Sequence, residues 1–468
     1  TVVTYNNSFG WQRATELPDF LPSWEYATYY NMAMQNMGKQ DAYLPEQIQK
    51  YKDGFDPDNY PNVNHLKWLL ESGSGFQHQH NVSIQGGNAT TSYNLSIGYR
   101  NQEGLTAKTS NERMTALFSL RSQLSKSLTL SLNINAYNNK YNAPNGEPTS
   151  IDGIIGYAVR EAPIYAGQKS DGSFGYQDNY SPEAWLASES FVENVSRNIN
   201  ASGQLRWDTP IKGLSLTGKA GVTYWTKYDK TYRAETYFDE NKTVGPSTLN
   251  IWTSNNTNTT LEALVNYEKT FGSHDLKVLA GTSVEHTSNK GLEGYRNTFP
   301  NNALYQLGAG DASTATNNSS LEEYALVSFF GRVNYAFKDK YLLEANLRYD
   351  GSSRFAKDNR WGIFPSVSAG WRISEENFWK NTRAGEVVDN LKLRASYGVL
   401  GNQNIGVYPY QQTYDLDHNY PLGNPATLVP GTYVSTYRNQ DLTWEKTAIT
   451  NVGLDFGLFN NTLNGSIE

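Results

Sequence analysis

Apolar and polar residues alternate along much of this chain with the period of a β-strand. In SLTLSLNINAY, Ser127 to Tyr137, leucine, isoleucine and alanine occupy every second position, and serine, threonine and asparagine lie between them. Such alternation predicts a strand with one apolar face and one polar face. It leaves open whether the apolar face meets a protein core or lipid.

Fifteen segments show this alternation and together predict an all-β chain. They cover residues 3–11, 77–85, 92–100, 113–122, 127–137, 198–207, 213–225, 260–269, 275–286, 324–337, 341–350, 362–373, 390–399, 447–457 and 462–468. No run approaches the roughly 18 uninterrupted apolar residues that a membrane-spanning helix needs. A transmembrane antiparallel β-barrel fits the pattern, because its strands need apolar residues only at every second position.

The connections between these segments alternate between two lengths. The short class, three to six residues each, comprises 86–91, 123–126, 208–212, 270–274, 338–340 and 458–461. The long class comprises 12–76, 138–197, 226–259, 287–323 and 400–446, with the shorter 101–112 and 351–361 on the same side and 374–389 as a long joint on the other. Outer-membrane barrels have this asymmetry, with short turns at one end and long extracellular loops at the other.

The first long connection contains two predicted short helices. Apolar residues recur at three- and four-residue steps from Trp24 to Met37, after Ser23 as the predicted N-cap. The stretch PEQIQKYKDG predicts a second helix that begins at Pro45 and ends at Gly54. We interpret both as elements of an external loop.

Aromatic residues in the apolar register predict two belts at the boundaries of a membrane. The candidates are Tyr93, Trp207, Tyr267, Tyr335, Phe337, Tyr341 and Trp371 at the short-turn ends, and Tyr99, Tyr224, Tyr349 and Tyr397 at the long-loop ends. The opposite register carries polar and charged residues such as Asn133, Lys219 and Glu262, which need water or partners. A soluble sheet would explain the polar register but not the belts.

Composition excludes several classes of function. The formal charge of −7 and the absence of a basic cluster argue against a nucleic-acid partner. The chain has no cysteine, which excludes disulfides and thiolate chemistry. It also has no HExxH, GxSxG, P-loop or CxxC pattern, so we predict neither an enzyme nor a cofactor.

Two short stretches resemble metal-binding motifs only weakly. His78 and His80 lie two residues apart on one strand face, where an interfacial position explains them better than a metal site. In DLDHNY, the side chains of Asp415, Asp417 and Asn419 have the first spacings of a calcium loop. The sixth and twelfth positions are tyrosine and alanine, which excludes an EF-hand and leaves only a looser loop calcium site open. We predict no metal site.

Several long stretches resemble the barrel of SusC/RagA-type TonB-dependent outer-membrane transporters. The most specific are YLLEANLRYDGSSRFAKDNRWGIFPSVSAGWRISEENFW at 341–379 and DLTWEKTAITNVGLDFGLFNNTLNGSIE at 441–468, and TVVTYNNSFGWQ at the start agrees. The resemblance extends over essentially the whole chain. It implies import of oligosaccharides or peptides through a 22-stranded barrel with an N-terminal plug. It further implies a SusD-type surface lipoprotein as the lid and the TonB complex as the energy source.

The chain departs from that family pattern at both ends. Thr1 stands where the first barrel strand would begin, and the sequence stops inside a strand at Glu468. Fifteen strands cannot close as a single-chain bacterial barrel. We therefore expect residues 1–468 to be the barrel region of a longer protein, with the plug and the final strands outside this chain.

Loop aromatics are the remaining candidates for substrate contact, because aromatic faces stack on sugar rings and pack peptide side chains. They are Tyr408, Tyr410, Tyr414 and Tyr420 in one loop, and Tyr176, Trp185 and Trp252 in others. Loop packing or contact with a lid protein would explain the same residues. Two other functions stay open: a cell-surface β-rich binding or adhesion protein, and a passive porin.

Overall fold

A single antiparallel sheet dominates the computed structural model, which describes residues 1–146, 150–416 and 418–468. In chain order its strands are β1 (Val2–Trp11), β2 (Phe76–Gly87), β3 (Thr91–Glu103), β4 (Ser110–Ser125), β5 (Leu128–Pro144), β6 (Phe191–Asp208), β7 (Leu214–Arg233), β8 (Thr236–Asp239), β9 (Lys242–Val244), β10 (Thr248–Phe271), β11 (His274–Asn297), β12 (Thr316–Phe337), β13 (Tyr341–Ser352), β14 (Trp361–Arg372), β15 (Val388–Asn402), β16 (Thr413–Asp415), β17 (Tyr420–Leu422), β18 (Thr427–Val429), β19 (Tyr433–Thr436), β20 (Glu445–Leu458) and β21 (Leu463–Ile467). Fifteen of them form the sheet, in the order β1-β2-β3-β4-β5-β6-β7-β10-β11-β12-β13-β14-β15-β20-β21. Each of the fifteen predicted segments overlaps one strand of this sheet, and the predicted fold class is confirmed.

Helices occur only in the connections of the described chain. They are α1 (Ser23–Asn36), α2 (Pro45–Asp53), α3 (His65–Leu70), α4 (Ile151–Arg160), α5 (Pro182–Ala187), α6 (Asn377–Lys380) and α7 (Arg383–Val387). Among the described residues, none of the helices has the length and apolar character needed to cross a membrane. Gly54 ends α2 in a left-handed conformation, as predicted. The predicted Ser23 cap is wrong, because the N-cap is Pro22 and the backbone N–H of Ser23 donates to Asn62 Oδ1 at 2.9 Å.

The strands extend further than predicted at the long-loop side. The connections predicted at 226–259 and 287–323 shrink to 234–247 and 298–315, because β7, β10, β11 and β12 continue past the alternating segments. Short turns remain at the other side, for example 209–213 and 272–273. In the first of these, Gly213 has a φ of +87°, and a Cβ there would lie 2.0 Å from the Glu268 carbonyl oxygen. Only glycine fits this turn.

The main apolar core lies among the long loops and not under the sheet. Leu69 of α3, Ile154 of α4, Trp185 of α5 and Phe238 of β8 are fully buried and belong to one cluster. Within the sheet, in contrast, apolar side chains are open: Leu261 is 61% exposed. In the described chain the large sheet is not covered by a second one, so the apolar rows do not form the core of a sandwich.

Candidate functional site

One face of the sheet carries an uninterrupted apolar row. Residues opposite each other on neighbouring antiparallel strands share a face, so the strand register identifies the members of each row. Across ten strands, from β2 to β13, the row is Gly86, Tyr93, Leu120, Leu132, Gly203, Ala220, Leu261, Val284, Val327 and Gly351. This row contains no polar residue, which suits contact with lipid hydrocarbon.

All eleven candidate belt aromatics lie on this apolar face. For example, Trp207 is opposite Leu128, and Tyr341 is opposite Trp371. Tyr341 and Tyr349 are eight residues apart on β13, which corresponds to roughly 27 Å along the strand and roughly 21 Å across a membrane at a tilt of about 40°. That separation is close to the height of the apolar band of an outer-membrane barrel, about 25 Å. The membrane-interface role of these side chains stays a prediction that this geometry favours.

The opposite face carries an equally uninterrupted polar row. Across nine strands, from β3 to β13, it runs through Ser92, Arg121, Ser131, Gln204, Lys219, Glu262, Ser283, Ser328 and Asp350. Hydroxyl, amide and charged groups in this density need water or polar partners. The two faces therefore differ in chemistry across the nine strands from β3 to β13 that both rows share.

Several charges on the polar face lie in pairs of opposite sign. Lys219 Nζ lies 3.1 Å from Glu262 Oε1, and these side chains are 41% and 24% exposed. Arg394 Nε lies 3.1 Å from Asp455 Oδ1 between β15 and β20. Pairs with this exposure each contribute at most about 1 kcal/mol to stability. Their main consequence is that these charges compensate one another on a face that water can reach.

Towards the long-loop ends of the strands, the polar face also carries aromatic rings. Trp252 lies on this face of β10, with Lys227 Nζ 5.3 Å from its ring centroid. Arg113 stacks on the ring of Tyr137 with its guanidinium carbon 4.4 Å from the centroid. Rings beside charged groups can contact both the apolar faces and the polar edges of a sugar or peptide.

The predicted substrate-contact residues are not one cluster. Trp185 is fully buried, and its Nε1 donates to the Asn179 carbonyl at 3.0 Å. The prediction that Trp185 contacts substrate is therefore wrong, because this side chain belongs to the core of the loops. Tyr176 packs against Phe238 with ring centroids 5.5 Å apart and is half-buried. Both belong to the loop packing that was the alternative explanation.

The four tyrosines of the β15–β20 connection have different surroundings. Tyr408 accepts a hydrogen bond from the backbone N–H of Glu323 at 3.1 Å and donates to its carbonyl at 3.0 Å. Tyr410 is half-buried, whereas Tyr414 and Tyr420 are 59% and 52% exposed. The exposed pair therefore keeps the surface that a ligand or a lid protein could contact.

A buried polar cluster that the sequence did not reveal lies inside the loop core. His65 Nδ1 lies 2.8 Å from Glu183 Oε1 and 3.6 Å from Glu161 Oε2. Burial, and then the nearby charge of Glu183, raises the pKa of Glu161 to about 10. His65 and Glu183 are 118 positions apart in the chain and share no motif, so only the packing of the loops brings them together.

Neither the histidine pair His78 and His80 nor the calcium-loop motif is shown to be a metal site. His80 Nδ1 lies 2.7 Å from the hydroxyl of Tyr5, and its Nε2 lies 3.2 Å from His78 Nδ1. Both rings lie on the apolar face beside Phe9 and Tyr99, which favours the interfacial interpretation. In the calcium-loop motif, Asp417 lies outside the described residues, so that motif stays untested.

Comparison with known proteins gives the family. The family described as TonB dependent receptor-like, beta-barrel matches residues 132–468, which is well over half of the chain. The chain belongs to this family. Its barrel members are outer-membrane proteins, so the predicted location in the bacterial outer membrane is confirmed.

Relatives and solved structures agree with this assignment. TonB-dependent receptor SusC of Bacteroides thetaiotaomicron is 28% identical over 100% of this chain and 46% of its own length. TonB-dependent receptor P3 of Formosa agariphila is 28% identical over 99% of this chain and 44% of its own length. The structure of the RagAB peptide transporter matches with a TM-score of 0.79 and 24% identity, over 99% of this chain and 53% of that one. The chain thus spans about half the length of the relatives it matches.

The family assignment identifies the two faces of the sheet. In a membrane-spanning barrel the apolar face meets lipid and the polar face lines the lumen. The long connections, including the loop core around Trp185, then lie on the external side, and the short turns lie on the periplasmic side. The expected division between barrel, plug and final strands stays a prediction.

Proposed function

We propose that this chain forms the wall of an outer-membrane importer for large polar nutrients, either oligosaccharides or peptides. The observation that carries the proposal is the polar row from Ser92 to Asp350, which gives the lumen hydroxyl, amide and paired charged groups. Such a wall binds water and polar solutes without holding any one of them tightly. Weak binding of this kind lets a polar solute move along the lumen.

A lid protein on the external side is supported by the exposed apolar residues of the β15–β20 connection. Leu416 is 73% exposed, Leu428 is 72% exposed and Tyr437 is 88% exposed. Large apolar side chains concentrated in one loop indicate a protein partner. We assign this partner to a SusD-type lipoprotein and the energy source to the TonB complex. In this mechanism solute is captured between lid and loops and enters the polar lumen once the plug moves.

Uptake in cells tests the proposal. The native gene is deleted and then restored, and accumulation of labelled oligosaccharides and of labelled peptides is measured with and without a protonophore. We expect one substrate class to accumulate only in the restored strain and only while the proton-motive force is present. Accumulation that is the same with and without the protonophore would indicate a porin. Surface binding without accumulation would indicate an adhesion protein.

A further inference from the structure

We propose that His65, Glu161 and Glu183 bind a transition-metal dication of the zinc class, which fastens two external loops to each other. One atom from each residue can be chosen so that all three lie within 4.8 Å of one another. Three ligands on a tetrahedral ion at about 2.1 Å stand roughly 3.4 Å apart. The observed separations of 2.8 Å and 3.6 Å from His65 Nδ1 to the two carboxylates bracket that value.

The second observation is the number of polar atoms in this cluster that have no hydrogen bond. The side chains of His65, Glu161 and Glu183 are 1%, 0% and 2% exposed. Both carboxylate oxygens of Glu161 and Oε2 of Glu183 make no hydrogen bond within the described part of the chain. Carboxylate oxygens buried without donors are costly, and coordination to a cation satisfies them.

Charge balance favours a divalent ion. In the metal-bound form both carboxylates are ionised and the imidazole is neutral, a total charge of −2, so a dication makes the buried assembly neutral. The surroundings are apolar, with Leu66, Ala184 and Trp185 buried in the same core. A neutral complex is therefore the form that this core tolerates best.

The ligand types select the metal class. Calcium takes six to eight oxygen ligands and magnesium keeps several waters, and neither prefers an imidazole nitrogen. One histidine nitrogen with two carboxylates suits zinc, and also cobalt and manganese. The second oxygens of Glu161 and Glu183 are free to make either carboxylate bidentate.

The position of the cluster gives the ion a structural role. His65 is the first residue of α3, in the β1–β2 connection, whereas Glu161 follows α4 and Glu183 lies in α5, both in the β5–β6 connection. The two connections are also joined by a backbone hydrogen bond from Val63 N–H to the Pro163 carbonyl, at 3.1 Å. A bound ion adds a coordinate link beside this hydrogen bond, at the base of the external loop core.

The first test measures metal binding directly. The native full-length protein is purified in detergent, stripped with a chelator and titrated with zinc, calcium or magnesium chloride by calorimetry. We expect one zinc per chain, no comparable binding of calcium or magnesium, and slower proteolysis within residues 12–75 and 145–190 once zinc is bound. X-ray absorption of the zinc complex should report one nitrogen and at least two oxygen ligands at about 2.0–2.2 Å. No zinc binding by the wild type would overturn the proposal.

Variants then assign the site. Glu161→Gln keeps the size of the side chain and should weaken zinc binding at least tenfold, and His65→Gln should do the same. The matched control is the double variant His78→Gln, His80→Gln, which removes a close pair of histidines outside the cluster and should leave zinc binding unchanged. Heat-modifiable gel migration shows that each barrel is folded. Loss of zinc binding in the control, or its survival in both test variants, would overturn the assignment.

Discussion

Leu132 and Asn133 follow each other on β5 and lie on opposite faces of the sheet. Leu132 stands between Leu120 and Gly203, whereas Asn133 stands between Ser119 and Ser202. Leu132→Arg should therefore destabilise the folded barrel by about 2–4 kcal/mol, because it places a charge in mid-bilayer hydrocarbon. Asn133→Arg should have little effect, because its side chain points into a hydrated lumen.

Reversible urea unfolding of each variant in lipid vesicles measures the two free energies. The pair is its own control, since both substitutions add the same side chain at adjacent positions. Equal losses at the two positions would contradict the assignment of the faces.

Alternation predicted the presence of every strand of the large sheet. It did not predict the full length of the strands, because only the part of a strand that meets lipid must alternate. Between Leu261 and Tyr267 every second residue of β10 must be apolar, and the prediction holds. From Thr248 to Thr260 the same strand runs mostly through serine, threonine and asparagine on both faces. Loops pack against part of this stretch, where Leu249 is fully buried beside Tyr232 and Phe299, so no regular alternation marks it and the sequence could not predict it.

Loop packing was the part of the candidate site that the sequence could not predict. Trp185 and Tyr414 are both aromatic residues of long loops, yet the first is fully buried and the second is 59% exposed. The difference comes from Phe238 of another loop, whose ring lies 5.8 Å from that of Trp185. Contacts between distant segments leave no local signal, and the His65 cluster was missed for the same reason.

A second prediction concerns Glu376, on the periplasmic side. Its carboxylate accepts hydrogen bonds from the Tyr341 hydroxyl at 2.6 Å, from Lys340 Nζ at 3.0 Å and from Trp371 Nε1 at 3.2 Å. These donors, with Tyr341 the strongest, lower the pKa of Glu376 from 4.5 to about 2. The ionised form is thus favoured in the folded protein, and its stabilising contribution is full above pH 4.5 and is lost as the pH falls towards 2.

The difference in unfolding free energy between wild type and Glu376→Gln, measured from pH 7 to pH 2, checks this. It should be constant at neutral pH and shrink through the window from 4.5 to 2. Tyr341→Phe removes the strongest donor, so the pKa of Glu376 should rise towards 4.5 and the pH range over which stability is lost should become narrower. A difference that does not change with pH would show that shape, and not ionisation, makes Glu376 stabilising.

A third prediction concerns the loop core. Trp185→Ala leaves a large cavity beside Phe238 and should destabilise the core by about 3–5 kcal/mol. The core lies apart from the sheet, so we expect faster proteolysis within residues 145–190 while the strands stay protected. Mass spectrometry of the fragments identifies the cleavage sites.

Trp252→Ala is the matched control for this substitution. Trp252 lies partly exposed on the polar face, so its removal should leave the proteolysis pattern unchanged. As a candidate substrate contact, it should instead lower uptake of the transported class. Similar proteolysis of the two variants would contradict the division between core and lumen tryptophans.

The last prediction concerns Tyr408, whose hydroxyl joins the β15–β20 connection to β12. Tyr408→Phe removes two hydrogen bonds to the backbone of Glu323, each contributing about 1 kcal/mol. The summed loss of about 2 kcal/mol should raise amide exchange in 403–444 and around Glu323 about thirtyfold, which hydrogen–deuterium exchange measures. Tyr414→Phe is the control, because that exposed hydroxyl accepts a bond from the nearby Gln412 Nε2 at 3.2 Å and does not join the connection to β12, so exchange should not change. If Tyr408→Phe lowers uptake while exchange stays the same, the hydroxyl contacts substrate and does not anchor the loop.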